Sequence, residues 1–289
     1  MKCFESGAPF QNLDREAFKF EHKLMGHPAL SIENLAKALP ALPTERVYFS
    51  ERLLKNGDDF ETKLCVESPN SRPIAEIIEN LRVSDSYVMV NGPEAHPSFA
   101  PLYRELVSDV EKAMRQRGVG HRAIDPRLYL FIASPGSVTP FHIDRYSSFL
   151  MQFRGSKSVT VFPQWDERVV SAENREAYVA RSKTQLPWNE EHETLATTFA
   201  FKPGEAIHTP FTAGHHVRNG SEDISISMSI FFNTPQNLAW RNALNFNHMA
   251  RPLLRRVGMS PAPVGRNAWR DASKSHVVNA AKRVRNFVR

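Results

Sequence analysis

The chain has two cysteines in 289 residues, Cys3 and Cys65. Thiols so far apart give neither a disulfide framework nor the spacing of a cysteine zinc site, so both are expected free in a reducing cytoplasm. No stretch approaches the roughly 18 unbroken apolar residues of a membrane span. Met1 to Ser6 hold no apolar segment of the kind a secretory signal needs. Internal repeats and low-complexity tracts are lacking too, which argues against a solenoid. The body also lacks an excess of positive charge, although the chain carries +6 overall. Residues 251–289 hold ten Lys/Arg against the single acid Asp271, a net +9, which leaves −3 for the other 250 residues. Basicity confined to a tail does not make the body a nucleic-acid surface.

What is present is an ordinary globular composition, 41% hydrophobic and 24% charged, in three stretches. Residues 1–118 read as a mixed α/β region. Ser31 caps a helix through Leu39. Ser71-Arg72-Pro73 opens a second helix with Ile74, Ile77, Ile78 and Leu81 on one face. Ser86–Asn91 reads as a strand closed by Gly92-Pro93, and 98–116 as a third helix. Residues 119–234 are dominated by short β runs: Leu128–Ala133, Ser148–Phe153, Ser158–Phe162, Thr197–Phe201 and Ile224–Phe232. Gly/Pro turns separate them, the pattern of a sandwich or barrel. A charged insert at 165–196, with Trp165, Tyr178 and Trp188, interrupts them. Residues 235–289 turn helical again, with Trp269, Ser273, His276, Ala280, Val284 and Phe287 at steps of three or four. The fold class expected is therefore mainly β, a barrel with a flanking α/β region and C-terminal helices.

The chemistry concentrates in Gly136-Ser137-Val138-Thr139-Pro140-Phe141-His142-Ile143-Asp144. An H-x-D supplies one nitrogen ligand and one carboxylate, and a distant second histidine would complete the 2-His-1-carboxylate facial triad that holds Fe(II) and leaves positions open for oxygen chemistry. The surrounding offsets give the tripeptide its weight. Gly136, His142, Asp144, Ser148 and Gly155 keep every spacing of the cupin motif G-x5-H-x-H-x3-E-x6-G. Gly204, Pro210, His215 and Asn219 keep those of G-x5-P-x-G-x2-H-x3-N, with Thr212 replacing the inner glycine. On these residues the chain resembles the cupins, which implies a double-stranded β-helix barrel around a metal. Asp144 replaces the second histidine, and Ser148 stands where cupins place a glutamate ligand. The metal set expected is His142, Asp144 and His215. His216 and His208 are local rivals, but motif spacing favours His215, and His216 should face the other side of a strand.

The phrase V-T-P-x-H-x-D, followed by Gln152, Arg154, Gly155, Lys157, Phe162 and Pro163, resembles the JmjC-type branch, and especially the asparaginyl hydroxylase acting on hypoxia-inducible factor. That resemblance implies an Fe(II)- and 2-oxoglutarate-dependent oxygenase, with Thr139 and Lys157 binding 2-oxoglutarate. A buried lysine on a barrel strand is otherwise costly, and a cosubstrate carboxylate would compensate it. Tyr129 is the expected hydroxyl donor to the cosubstrate. Ser148 is expected on the same wall, sharing strand parity with Asp144, Tyr146, Leu150 and Gln152. The family chemistry consumes O₂ and releases succinate and CO₂ while hydroxylating a C–H bond of a protein, peptide or small molecule. The insert is the expected substrate cover, with Trp165 and Trp188 as anchors. The amphipathic C-terminal helices are expected to form a homodimer interface. Two other readings remain: a cupin enzyme working without 2-oxoglutarate, and a metal-binding regulatory module whose basic tail touches nucleic acid.

Overall fold

A computed structural model describes residues 1–50, 54–65, 76, 81 and 85–287. The helix expected from Ser71 lies outside the described residues except for Glu76 and Leu81, the latter fully buried. Among the described residues the strands are β1 (Phe18–Glu21), β2 (Val47–Ser50), β3 (Tyr87–Asn91), β4 (Ile124–Ala133), β5 (Val138–Ile143), β6 (Ser147–Arg154), β7 (Lys157–Val161), β8 (Thr197–Phe201), β9 (Glu205–Thr209), β10 (Gly214–Asn219) and β11 (Ser225–Asn233). They form two antiparallel sheets, ordered β1-β9-β6-β11-β4-β3-β2 and β5-β10-β7-β8. The result is a jelly roll, mainly β with flanking helices.

Strand parity explains how one sheet serves two interiors. On β4, Leu128, Leu130 and Ile132 join the main core, while Arg127, Tyr129 and Phe131 line a cavity on the opposite face. On β11, Ile226, Met228 and Ile230 turn to the core, and Ser227, Ser229 and Phe231 to the cavity. On β6, Phe149 and Met151 face the core, and Ser148 and Leu150 the cavity. Apolar burial on one face anchors the sheet, at about 2 kcal/mol per large side chain. Small serines on the other face leave space.

The core side is covered by the N-terminal residues. The first helix, α1 (Ile32–Ala38), is capped by Ser31, whose hydroxyl accepts from Asn34 N–H. A one-turn helix, α2 (Phe60–Lys63), follows later. The long helix α3 (Ala100–Arg117) buries Leu102, Leu106, Val110, Ala113 and Met114, then stops at Gly118, whose φ of 76° favours glycine. Phe4 and Phe20 meet Phe149 edge-on at 5.3 and 5.2 Å, each contact contributing about 1 kcal/mol beyond area burial. Residues before 119 are not a separate layer, because β1 pairs with β9 and β3 with β4.

The insert folds back onto the barrel. It carries α4 (Ala172–Val179), N-capped by Ser171, and packs Val170, Tyr178 and Leu186 against Phe141 and Phe162. The chain ends in α5 (Pro235–Arg255), opened by a Thr234–Asn237 capping box, and α6 (Ala268–Phe287). The contact between these two helices includes polar pairs: Asn242 Nδ2 donates to Ser275 Oγ and Asn279 Oδ1, and Lys282 donates to Asn242 Oδ1. Of the expected stripe on α6, Trp269 is 76% and Val284 65% exposed, so these two face outward.

Candidate metal and cosubstrate site

Strand β5 delivers His142 near its end and Asp144 just past it. Strand β10 delivers His215, directly opposite His142 in register. One ligand atom from each of His142, Asp144 and His215 lies within 4.8 Å of the others. His142 Nε2 is 3.9 Å from Asp144 Oδ1, and His215 Nε2 is 3.6 Å from Asp144 Oδ2. Backbone carbonyls orient both rings: His142 Nδ1 donates to Pro140 O at 2.7 Å, and His215 Nδ1 to Ala213 O at 3.0 Å. With Nδ1 used as donor, each Nε2 lone pair points to the shared centre, the usual arrangement for a metal-binding histidine. Burial pulls both imidazoles from 6.5 down to about 4, so they are neutral at pH 7. Two neutral nitrogens and one carboxylate on one face form the donor set of a non-haem Fe(II) triad.

Thr212 accounts for one departure from the cupin motif. It occupies the glycine position and still adopts φ 55°. Its N–H donates to Asp144 O at 3.0 Å. The turn that carries it thus holds the backbone of one ligand and, through Ala213 O, the ring of another.

The rival histidines are occupied elsewhere. His216 Nε2 pairs with Glu193 Oε1 of the insert at 2.8 Å. His208 Nδ1 donates to Ser148 O, and its Nε2 accepts from Asp14 N–H.

The triad opens into a cavity of about 450 Å³ between the two sheets, lined also by Thr139, Lys157, Tyr129 and Ser148. At one end Lys157 is 4% exposed. Its Nζ donates to Asn219 Oδ1 at 2.7 Å, and no acidic partner lies within ion-pair reach among the described residues. Burial pulls its pKa from 10.5 down to about 7. Asn219 is fixed in turn by donating to Ser137 O and Oγ. Beside it, Thr139 Oγ1 donates to the Tyr87 hydroxyl at 3.4 Å, and on the cavity wall Ser227 Oγ is buried with no hydrogen-bond partner among the described residues. A buried ammonium and an unsatisfied hydroxyl facing a cavity are costly unless an acceptor-rich ligand meets them.

Tyr87, not Tyr129, is the hydroxyl next to Thr139. In register Tyr87 pairs with Ala133, four residues along β4 from Tyr129, about 13 Å at the rise of a strand. Tyr129 instead stands near Phe231, 5.0 Å between ring centres, toward the opposite end. Reading β3 alone could not reveal this, because the neighbour of Tyr87 comes from the other sheet. Ser148 lines the wall and lies outside the metal set. Trp165 packs edge-on against Trp240, and Trp188 against Phe141 and His216. Neither tryptophan lines the cavity; from the insert, Tyr178 and Arg181 do.

Two facing antiparallel sheets with His-x-Asp and a distant histidine directed between them define a cupin-type barrel. The cupin-like domain family matches residues 42–237, and the chain belongs to that family. No curated protein matches the sequence. Among solved structures, YcfD, a ribosomal oxygenase from Escherichia coli, is similar with a TM-score of 0.50 at 14% identity, covering 91% of this chain and 61% of that one. The same protein in complex with cobalt and 2-oxoglutarate gives a TM-score of 0.48 at 15% identity, over 88% and 57% of the two chains. At such identities the likeness is one of fold. The chain spans about three fifths of the length of these solved chains.

Proposed function

We propose that the protein is an Fe(II)- and 2-oxoglutarate-dependent oxygenase that hydroxylates a C–H bond. The observation that carries this reading is Lys157, an ammonium buried in the wall of a metal-site cavity with, among the described residues, only a neutral amide as partner. A dicarboxylate reaching from the triad to Lys157 would supply the missing anion. YcfD, whose fold is shared, has been solved with cobalt and 2-oxoglutarate. The alternative of a cupin enzyme without 2-oxoglutarate leaves Lys157 and Ser227 without a role. The alternative of a nucleic-acid-binding module rests on the tail charge alone.

In the proposed reaction His142, Asp144 and His215 hold Fe(II). When bound with its cosubstrate, that metal supplies O₂ activation coupled to conversion of 2-oxoglutarate into succinate and CO₂. The chain's own groups bind and orient. Lys157 donates a charge-assisted hydrogen bond to the distal carboxylate, with Thr139 and Tyr87 as hydroxyl donors beside it. Pro140 O and Ala213 O keep both imidazoles in the tautomer that leaves Nε2 unprotonated. The aromatic walls exclude water.

The test is anaerobic titration of Fe(II)-loaded protein with 2-oxoglutarate, followed by succinate release on admitting air. Saturable 2-oxoglutarate binding with succinate above blank is expected; neither appearing would overturn the reading. Seven of the nine large apolar side chains exposed among the described residues lie between Met249 and Val284. We infer from this concentration that a second copy covers the α5–α6 surface. A monomeric mass by light scattering at 50 µM would refute the homodimer. No described helix is long and apolar enough to cross a membrane, and two free thiols fit a reducing compartment such as the cytoplasm.

A further inference from the structure

The end of the cavity opposite Lys157 is arginine-rich. Arg127, Arg145 and Arg181 line it, and among the described lining residues the only acid is Asp144, already placed in the metal set. These cations come from three separate elements: β4, the turn after β5, and the insert. Arg145 is pre-oriented, with its Nε donating to Tyr178 O at 2.9 Å and its guanidinium 4.3 Å above the Tyr178 ring. Arg181 follows α4 in a left-handed conformation, φ 61°, a position where glycine or asparagine is the unstrained choice. A fourth cation stands behind them: Arg241 lies 4.8 Å over the Tyr146 ring and close enough to Arg181 for repulsion. Glu94 and Asp125 are in electrostatic range of Arg127 and Arg241, but neither lines the cavity. The body of the chain is otherwise net negative, so this concentration of positive charge is local.

We propose that the substrate position takes a small organic anion, its carboxylate or phosphate held by Arg127, Arg145 and Arg181 and its apolar body lying against Tyr129, Tyr146 and Phe231. This rests on the oxygenase reading, because it assigns the far end of the same cavity. Like charges gathered around a concave space raise the local concentration of anions. Three guanidinium groups suit the planar, bidentate recognition of carboxylate or phosphate. The aromatic neighbours supply the apolar wall usual in small-molecule sites.

The volume of the cavity favours a small molecule over a polypeptide. The insert is tied to the segment before α2, where Thr184 Oγ1 donates to Asp59 Oδ2 at 2.6 Å and Gln185 Nε2 to Gly57 O at 2.7 Å. Phe60, next after that segment, lines the cavity with its ring centre 5.6 Å from that of His142. The space left, about 450 Å³, must hold 2-oxoglutarate as well.

The experiment uses the full chain loaded with Zn(II), which is redox-inert, and saturated with 2-oxoglutarate so that the Lys157 end is filled. Phenylacetate, phenyl phosphate, neutral phenylacetamide and a glutamate-rich decapeptide are then titrated with ligand-observed NMR. At least one small anion should bind tenfold or more tighter than the amide, and the better of the two identifies the oxyanion. Arg127→Gln and Arg181→Asn should each weaken that anion roughly tenfold, the loss expected for one charge-assisted hydrogen bond, with 2-oxoglutarate affinity and melting temperature retained. Both residues are exposed, and Asn suits the left-handed backbone at 181, so the variants should fold. Equal binding of the amide would overturn the proposal. So would binding of the decapeptide alone, or a loss of 2-oxoglutarate affinity in the arginine variants, which would assign the arginines to the cosubstrate. Probe binding without any 2-oxoglutarate binding would sink the oxygenase reading and leave the anion site standing; 2-oxoglutarate binding without probe binding would do the reverse.

Discussion

Two buried polar clusters sit against the same barrel, and they differ in whether they are satisfied. Around Asp14, 2% exposed, every neighbour completes the other. Its carboxylate accepts from the Ser147 hydroxyl, from Phe211 N–H at 3.1 Å and from Asn237 Nδ2 at 3.3 Å, while its own N–H donates to His208 Nε2. Around Lys157 the accounts do not close: the ammonium has a neutral partner, Ser227 Oγ has none, and the Thr139–Tyr87 contact is long. The first cluster ties the N-terminal segment, β6 and α5 to one another. The second faces a cavity. Buried polar groups that satisfy one another stabilise a fold, whereas those that do not are held ready for a ligand.

The strongest test of this contrast removes a group that only the open cluster's chemistry needs. Asp144→Ala takes the carboxylate from the triad and should lower succinate release at least 10³-fold, with the melting temperature of metal-free protein little changed. Turnover retained in this variant would mean the carboxylate is no ligand. The matching change in the closed cluster is Asp14→Ala. It leaves three donors unpaired and puts alanine at φ 57°, so it should cost about 3 kcal/mol in denaturant unfolding. The folded fraction should keep its 2-oxoglutarate affinity. A stability loss under about 1 kcal/mol would show that this network is not what fastens the N-terminal segment.

Lys157→Met separates the two kinds of cluster within one residue. Affinity for 2-oxoglutarate should fall about 100-fold, while the metal-free protein becomes more stable by about 1 kcal/mol because an uncompensated buried cation is gone. The pH dependence follows from the same group. In the free protein its pKa is held at about 7 by burial, against 10.5 ordinarily. Between those values the unfolded chain binds more protons than the folded one, so stability should rise with pH across that window. The rise should be absent in Lys157→Met. A bound carboxylate reverses the preference, so 2-oxoglutarate binding above pH 7 should take up a proton, and affinity should fall about tenfold per pH unit. Calorimetry in buffers of differing ionisation enthalpy measures the proton; none taken up at pH 8 would mean that Lys157 is already charged.

The parts of this design that sequence carries are those fixed by local spacing. Period-two alternation in β4, β6 and β11 already separates core from cavity, because successive strand side chains face opposite sides. Ser31 marks its helix because a cap is satisfied within three residues. The offsets among Thr139, His142, Asp144 and Lys157 are legible because β5 and the β6–β7 hairpin are contiguous in the chain. Features that depend on distant pairing are not legible. Tyr87 reaches Thr139 only because β3 joins the sheet opposite β5, and spacing along the chain points to Tyr129 instead. The helical spacing of Trp269 and Val284 was visible, but which face of α6 turns inward was decided by the asparagine and serine contacts with α5. The arginine end was equally hidden, since Arg127, Arg145 and Arg181 converge from separate elements.

The smallest predicted effect concerns the turn between the clusters. Thr212 sits at φ 55° with its hydroxyl buried and without a hydrogen-bond partner. A β-branched residue pays about 1–2 kcal/mol in the left-handed region, and the unpaired hydroxyl adds to that. Glycine removes both penalties but loses more backbone entropy on folding, by about 0.5–1 kcal/mol. Thr212→Gly should therefore stabilise the protein by about 1 kcal/mol, read as a higher denaturation midpoint at unchanged slope. Its effect on turnover decides what the threonine is for. If Thr212 only fills the turn, succinate release is unchanged, because the N–H that holds Asp144 O belongs to the backbone and survives the substitution. Faster metal loss in the stabilised variant would instead show that the strained turn stiffens the ligands Asp144 and His215, which would place Thr212 with the open cluster rather than the closed one.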